Sequence, residues 1–316
     1  MNVIGTRAIA LQAMLVAALL FLSPGHAQAA SAADAQKIDS GDTYDSRILL
    51  DPAHGSERQL AEAARVGKAA EAGDSSAQYL LGTLYRLGKS HPARLFERDD
   101  DTAGKYLSNA AVNGHVLAMA GMAELELRRK QPMKAMVWAQ AFAHYEIVHA
   151  EILNDKPSAQ QGYAAFLLKR SFDALGHTDA VQQQIEQLFT DFMQQHDARI
   201  RAALTETRDK QNTEKLNQPA LHRVHGGTLE ISMPNSRQQQ MHSPGRAVFL
   251  AGVDAKGRIE KLLVIDSLPD QTFDTGLNGS VRSMRFNTAE KPGQLRWVTV
   301  PMSYDDQSVE IRKSGK

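Results

Sequence analysis

Few residues in this chain have the type and spacing that chemistry needs, and two histidines come closest. His222 and His225 are three residues apart, which on a helix would place both imidazoles on one side as the start of a metal site. Gly226 and Gly227 follow directly, and no carboxylate or third histidine stands nearby. We interpret the pair as loop histidines and predict no metal-ligating residue.

Two other groups invite a catalytic interpretation. His144 and His149 are five residues apart and do not share a helical face. Asp266 and Ser267 would need a distant histidine to form a hydrolase site, and the spacing supplies none. The chain contains no HExxH, Gly-x-Ser-x-Gly or phosphate-loop motif. We therefore predict a protein that is not an enzyme, with no catalytic and no cofactor-binding residues.

Two charged groups have simple electrostatic interpretations. Asp99 to Asp101 could bind a cation, but acidic residues also favour the positive end of a helix dipole, so we predict the first turn of a helix. Arg282 and Arg285 flank a predicted helix end, where cations meet the negative end of the dipole. Neither group requires a ligand.

Composition limits the classes of partner. The chain has 316 residues, enough for about two domains. Lys plus Arg and Asp plus Glu both number 36, so no net charge points to nucleic acid or to a membrane surface. There is no cysteine, which excludes disulfides, thiolate zinc sites and cysteine nucleophiles.

The first segment has the pattern of an export signal. Arg7 gives a positive start, residues 8–22 are apolar except for Gln12, and Ala27-Gln28-Ala29 offers small residues for cleavage after Ala29. The alternative is an uncleaved membrane anchor, which needs nearer 20 apolar residues. We predict a signal peptide over 1–29 and a periplasmic protein of a Gram-negative envelope, without stable membrane insertion after cleavage.

The elements that would position any site begin with a helical repeat. Gly73 and Gly114 are 41 residues apart, and the same offset pairs Ala69 with Ala110 and Ala77 with Ala118. The stretches AAEAGDSSAQYLLGTLYRLG and DDDTAGKYLSNAAVNGHVLAMAG resemble SEL-one-like repeats, the tetratricopeptide-related helical repeats. That resemblance implies a binding scaffold built of stacked helix pairs.

Helical patterns continue to about residue 211. The predicted helices cover 56–73, 75–87, 102–113, 116–127, a stretch opened by Pro132, 157–174, and a long helix capped by Thr178. The long helix either caps the repeat array or pairs as a coiled coil, and its irregular spacing favours capping. Residues 30–55 are interpreted as a flexible lead-in, and 212–245 as a linker with one short strand over 228–233.

From Arg246 the pattern changes to strand, strand, helix, strand, with a tight turn ending at Gly257. VDAKGRIEKLLVIDS, VRSMRF and WVTVPMSYD resemble the C-terminal domain of the TonB family, over about a fifth of the chain. The residues that match the family pattern are Gly257, Ser267, Arg282, Arg285, Phe286 and Ala289. Met284 replaces the common aromatic residue, and no Pro-x-Tyr-Pro stretch precedes the first strand. The resemblance implies a small antiparallel sheet with one packed helix over 246–306, followed by a polar tail over 307–316.

The predicted fold class is therefore multidomain: an all-α helical-repeat array (an α-solenoid) and a small α+β domain. We expect a non-catalytic periplasmic scaffold that binds an envelope protein or an extended peptide, and no nucleic acid; the oligomeric state stays open. The alternative is a TonB-type energy transducer held by an uncleaved anchor. Pro301 lacks an N–H, so its strand is expected at a sheet edge, which makes that edge a candidate docking surface.

Overall fold

The computed structural model shows a mostly helical chain with a small three-stranded antiparallel sheet near the C-terminus. It describes residues 44–153, 161–176, 178–217, 223–225, 244–270, 272–287 and 292–304. The predicted signal peptide, the short strand over 228–233, His222, Ala289 and the polar tail lie outside the described residues.

Nine helices lie within the described ranges. In chain order they are α1 Ser46–Leu50, α2 Ser56–Glu71, α3 Ser75–Leu87, α4 Asp100–Val112, α5 Val116–Arg128, α6 Pro132–Ile152, α7 Gln161–Asp173, α8 Asp179–Asn217 and α9 Thr272–Arg282. The predicted bounds of α3 and the predicted start of α6 at Pro132 are confirmed.

Side-chain caps and glycines set the helix ends in the repeated region. The Asp74 carboxylate accepts from the backbone N–H groups of Ser76 and Ala77, and Asp99 caps α4 in the same way. Gly114 has a φ of 85°, and a Cβ there would lie 2.9 Å from the Cβ of Ala203. The sequence pattern offers Ser56 as the cap of α2, but in the structure Ser56 is the first helical residue and Gly55 occupies the cap position.

Successive helices from α2 to α7 contact each other, and α3 with α5 and α5 with α7 also make contact. Small residues allow this close approach. A Cβ added at Gly82 of α3 would lie 2.7 Å from Cγ of Leu107 in α4. Ala110 and Ala111 of α4 have no exposed surface.

The long helix α8 is capped by Thr178 as predicted, since the Thr178 hydroxyl accepts from the Val181 N–H at 3.3 Å. It packs along α4 and α6, where Phe192 meets the Trp138 ring edge to face. It therefore covers the side of the helix stack. It also continues to Asn217, beyond the expected start of the linker at residue 212.

The predicted order of strands and helix is confirmed. The strands are β1 Arg223–His225, β2 Gly245–Val253, β3 Ile259–Leu268, β4 Arg285–Phe286 and β5 Arg296–Tyr304. The sheet order is β3-β2-β5, so β2 is central, and β5 is an edge strand as Pro301 indicated. The pairing of β1, within the expected linker, with β4 had no counterpart in the predictions.

The central strand β2 is buried along its whole length because both faces of the sheet are covered. Ala247, Phe249, Ala251 and Val253 pack in one apolar cluster with residues of α9. Val248 and Leu250 belong instead to the apolar cluster of the helices. The expectation of two physically separate halves therefore differs from the structure, in which the sheet shares a core with the helical array.

Residues 44–55 also differ from the expected flexible lead-in. Leu49 and Leu50 of α1 are buried in the same core as the helices, which gives this short segment a reason to fold. Gln59 of α2 donates to the Leu49 carbonyl at 2.8 Å, and the Asp45 N–H donates to Glu62. The apolar pair Leu49-Leu50 fixes the segment against α2.

Candidate functional site

The most distinctive chemistry of the molecule lies where the helices meet the outer side of β3. The helices α3 and α5 contact β3, α7 contacts β5, and α1 also reaches β3. We call this surface of α3, α5 and α7, together with the turn after α3, the strand-holding face. It positions charged side chains that are buried between the two parts of the chain.

A buried ion pair stands at the centre of the strand-holding face. Nη2 of Arg86 in α3 lies 2.6 Å from Oδ1 of Asp266 in β3, and each side chain is 1% exposed. The Tyr79 hydroxyl donates to the other carboxylate oxygen at 2.5 Å. Tyr79 and Arg86 are seven residues apart, two helical turns, so α3 presents both to the same carboxylate.

An irregularity in β3 directs the carboxylate toward the helices. Val248 pairs with Asp266 and Phe249 pairs with Val264, so Ile265 is an extra residue in the ladder. Such a bulge changes the direction of the side chains beside it. Ile265 accordingly packs in the core of the helices, and Asp266 next to it binds Arg86.

The same face also binds the backbone of β3 and of the residues that follow. Arg86 donates to the carbonyl oxygens of Ser267 at 3.0 Å and Pro269 at 3.3 Å. His91 Nε2 lies 3.3 Å from the Ile265 carbonyl oxygen. Because His91 Nδ1 accepts from the Ala93 N–H, Nε2 carries the proton and donates. Ile265 and Ser267 are alternate residues of β3, so the helices bind two carbonyls on one side of the strand, and the Pro269 carbonyl follows in the bend after it.

Burial and charge set the protonation of these groups. Burial raises the pKa of the Tyr79 hydroxyl well above its usual value, and the nearby Asp266 carboxylate raises it further. Burial alone would lower the pKa of the Arg86 guanidinium, but the electrostatic effects of Asp266, Tyr79, Tyr163 and Glu124 together outweigh burial and raise it. Burial lowers the pKa of His91 to about 4. The site therefore holds an arginine cation, a neutral imidazole and a neutral phenol.

A second layer of polar groups supports the first. The His115 ring stacks on Tyr79 with ring centroids 3.9 Å apart, and burial lowers its pKa to about 3. Glu124 of α5 accepts from the Tyr163 hydroxyl at 2.8 Å and from Arg170 at 2.6 Å. Within the described part of the chain, Nδ1 of His115 has no hydrogen-bond partner.

Two further ion pairs flank the buried one. Lys261 of β3 binds Asp51 at 2.7 Å, and Arg246 of β2 binds Glu146 of α6. From one end of the contact to the other, the helical part thus presents a negative, a positive and a negative group. The sheet presents the opposite charges in the same order, and this complementarity fixes the orientation of the sheet.

The acidic and basic groups identified in the sequence have structural partners. Asp99 is the N-cap of α4, Asp100 pairs with Arg128 at 2.6 Å, and Asp101 pairs with Arg129 at 2.9 Å. These bonds agree with the interpretation as the first turn of a helix.

The arginines near the end of α9 have local partners. Arg282 donates to Asn278 at 2.8 Å, and Arg285 donates to backbone carbonyls that include that of Met284. Their surroundings agree with charges at a helix C-terminus.

Asp266 and Ser267, considered above as part of a hydrolase site, have other partners in the structure. Asp266 binds Arg86 and Tyr79, and the Ser267 hydroxyl donates to the Asp270 carbonyl. His144 Nε2 lies 3.3 Å from Arg201. Across the described ranges, no three His, Asp or Glu side chains are placed to hold a metal ion.

The matched residues Gly257 and Phe286 are neighbours in space. Gly257 has a φ of 74°, a Cβ there would lie 1.9 Å from the Phe286 carbonyl oxygen, and the Phe286 N–H donates to the Gly257 carbonyl at 2.9 Å. Only glycine suits both demands. At the other edge of the sheet, Pro301 faces Val248 across the ladder, and Thr299 is buried.

Comparisons with protein-family models, with curated proteins and with solved structures find no match to this chain. In the parts of the chain that the structure describes, none of the helices has the length and apolarity to cross a membrane.

Proposed function

We propose that this protein is a non-catalytic periplasmic scaffold that binds a protein or peptide partner through its helical array and its sheet. Two features support the resemblances behind this proposal. The 41-residue repeat coincides with the helix pairs α2–α3 and α4–α5, whose neighbours stack on one another. The C-terminal part has the strand-strand-helix-strand order of the TonB-like domain.

The observation that carries the proposal is how the strand-holding face binds β3. Arg86 and His91 bind alternate backbone carbonyls, and Arg86 and Tyr79 share one carboxylate. In one mode of recognising an extended peptide, hydrogen bonds to its main chain give affinity and contacts with its side chains give specificity. The array therefore has the chemistry of a strand-binding surface, and its own β3 demonstrates that a strand fits it.

The alternative, a TonB-type energy transducer, is less well supported. That function would need a C-terminal domain able to act away from the rest of the chain. Here the sheet shares its core with the helices, and three ion pairs hold it. Fractionation of the envelope distinguishes the two functions: a transducer stays in the membrane with its N-terminal segment attached, whereas the scaffold is released by osmotic shock with a mature N-terminus near Ala30.

Site-specific cross-linking in intact cells tests the scaffold function. A photoreactive side chain at Lys89, exposed in the turn after α3, reports on partners at the strand-holding face. The same group at Lys134, exposed at the start of α6, is the control. We expect one discrete envelope partner at position 89 and weaker cross-linking at 134. Equal, diffuse cross-linking at both positions contradicts the proposal.

A further inference from the structure

Among the described residues β3 is an edge strand of the sheet, and side chains of the helical part, not another strand, contact its outer side. Natural proteins cover or blunt sheet edges, since an open edge pairs with other chains. In this protein Arg86 and His91 perform that covering by binding the carbonyls of Ile265, Ser267 and Pro269. On its other side β3 is paired with β2 from Ile259 to Leu268, so a segment that takes the place of β3 on the helices must also take its place in this ladder.

The energetics of the central contact also suggest a role beyond stability. A buried ion pair often contributes no more than well-packed apolar residues of the same volume, because both charges lose their hydration. A purely structural contact could be apolar at Arg86 and Asp266, as it is at Gly82 and Leu107. The charges instead make the face selective for a segment that carries a carboxylate.

Two apolar side chains beside the carboxylate complete the recognition pattern. Ile265 and Leu268 are 0% and 1% exposed and pack in the core of the helices. Together with Asp266 they define an extended segment in which an apolar residue precedes Asp and a second apolar residue follows two positions later. The apolar anchors give affinity, and the carboxylate gives selectivity.

The carboxylate geometry favours Asp over Glu. Oδ1 of Asp266 accepts from Arg86 at 2.6 Å and also from the N–H of the next residue, Ser267, at 2.7 Å. A short side chain can reach the following backbone N–H, as Asp commonly does in local side-chain to backbone bonds. The longer side chain of Glu would move its carboxylate away from one of these donors.

We propose that β3 occupies the strand-holding face as a displaceable internal ligand, and that the partner in trans is an extended protein segment with an Asp between two apolar residues. This inference rests on the scaffold function and names the site and the chemistry of the partner. In the resting protein β3 covers the face, and a partner segment with the same pattern competes with it for Arg86, Tyr79 and His91.

Peptide binding to the full chain tests the inference. The probe is a fluorescent peptide with the sequence LLVIDSLPD of residues 262–270, and its matched controls carry Asn or Glu in place of Asp266. The protein variant Asp266→Asn keeps the shape of the side chain but removes the charge that holds β3. We expect this variant to bind the Asp peptide at least about tenfold more tightly than the wild-type chain does. Against the same variant, we expect the Asn and Glu peptides to bind at least about tenfold more weakly than the Asp peptide.

Hydrogen exchange supplies the second measurement. An excess of the Asp peptide should increase amide exchange in residues 259–268 of the wild-type chain, because β3 leaves its place, whereas the Asn peptide should not. The inference is overturned if exchange there stays unchanged in both the wild-type chain with peptide and Asp266→Asn. It is also overturned if β3 exchanges faster in Asp266→Asn but the variant binds no peptide, or binds the three peptides equally. If Asp266→Asn does not fold, the wild-type exchange experiment decides alone.

The two proposals fail separately. Selective binding of the Asp peptide without any envelope cross-link at position 89 would support the strand-holding site and contradict the scaffold function in the cell. A specific cross-link without peptide binding would support the scaffold function and overturn the displacement of β3.

Discussion

Helix α3 makes two contacts of opposite character. Toward α4 it presents Gly82, against which Leu107 packs so closely that an added Cβ would lie 2.7 Å away. Toward β3 it presents Tyr79 and Arg86, which bind a single carboxylate in a buried ion pair. One helix therefore uses shape alone on one contact and charge on the other.

The two contacts of α3 differ in what they contribute: the apolar contact contributes stability, and the ion pair contributes selectivity for its partner. Apolar packing gains free energy from every buried atom and tolerates any partner of suitable shape. The buried ion pair gains little over an apolar equivalent, but it heavily penalises a partner without the matching charge. The α3–α4 contact thus joins neighbouring helices, and under our proposal the α3–β3 contact selects the segment that the helices hold.

The largest effect should follow from removing one charge of the pair. Arg86→Met leaves the Asp266 carboxylate buried without its cation, and such a loss costs about 3–5 kcal/mol of unfolding free energy. The double variant Arg86→Met/Asp266→Leu removes both charges and should recover most of that loss. Urea unfolding of the single and double variants measures both values. If the double variant is no more stable than Arg86→Met, the ion pair is not the source of the effect.

These two contacts also mark what could be predicted from the sequence. The α3–α4 contact joins residues that are close in the chain, and the 41-residue repeat of small residues predicted stacked helix pairs in this region. Ala110 and Ala111, two of these small residues, are buried. Arg86 and Asp266 are 180 residues apart. In the sequence, Arg86 is an ordinary basic residue in the last turn of a helix, so no local pattern predicted its pairing with Asp266.

The remaining differences have the same physical origin. The strand pattern of β2 could not reveal that both of its faces are covered, because the second cover comes from distant helices. The bulge at Ile265 depends on pairing with β2, not on any turn residue in β3. His91 lies in a loop that showed no period, and only the docked strand gives it a function.

Overpacking the apolar contact should have a smaller effect. Ala110→Leu adds three carbon atoms at a position with no exposed surface, which should cost about 1–3 kcal/mol of unfolding free energy. Asn109→Leu, at the exposed neighbouring position of α4, is the matched control and should change stability little. Thermal unfolding compares the two variants. Equal melting temperatures would mean that α4 can shift away from its neighbours, and that shape does not restrict this contact as closely as we infer.

Acid should weaken the strand-holding contact through His91. The folded-state pKa of His91 is about 4 because burial disfavours the charged ring, whereas an unfolded histidine titrates near its usual value of 6.5. The two charged groups near His91 have opposite effects on its pKa: the Asp266 charge raises it and the Arg86 charge lowers it. The neutral form is required to accept from the Ala93 N–H while donating to the Ile265 carbonyl. His91 therefore stabilises the fold fully above about pH 6.5, and this contribution is lost as the pH falls toward 4.

The slope of stability against pH isolates this contribution. Between pH 7.5 and 5.5 we expect the unfolding free energy of the wild-type chain to fall, with about 1–2 kcal/mol of the loss arising from His91. His91→Gln should remove that part of the slope, even if the variant is less stable at every pH. The part of the pH dependence that arises from His115, whose pKa is lowered to about 3, should persist in this variant. An unaltered slope in His91→Gln would mean that β3 does not need a neutral His91, and the contact would then depend on Arg86 and Tyr79 alone.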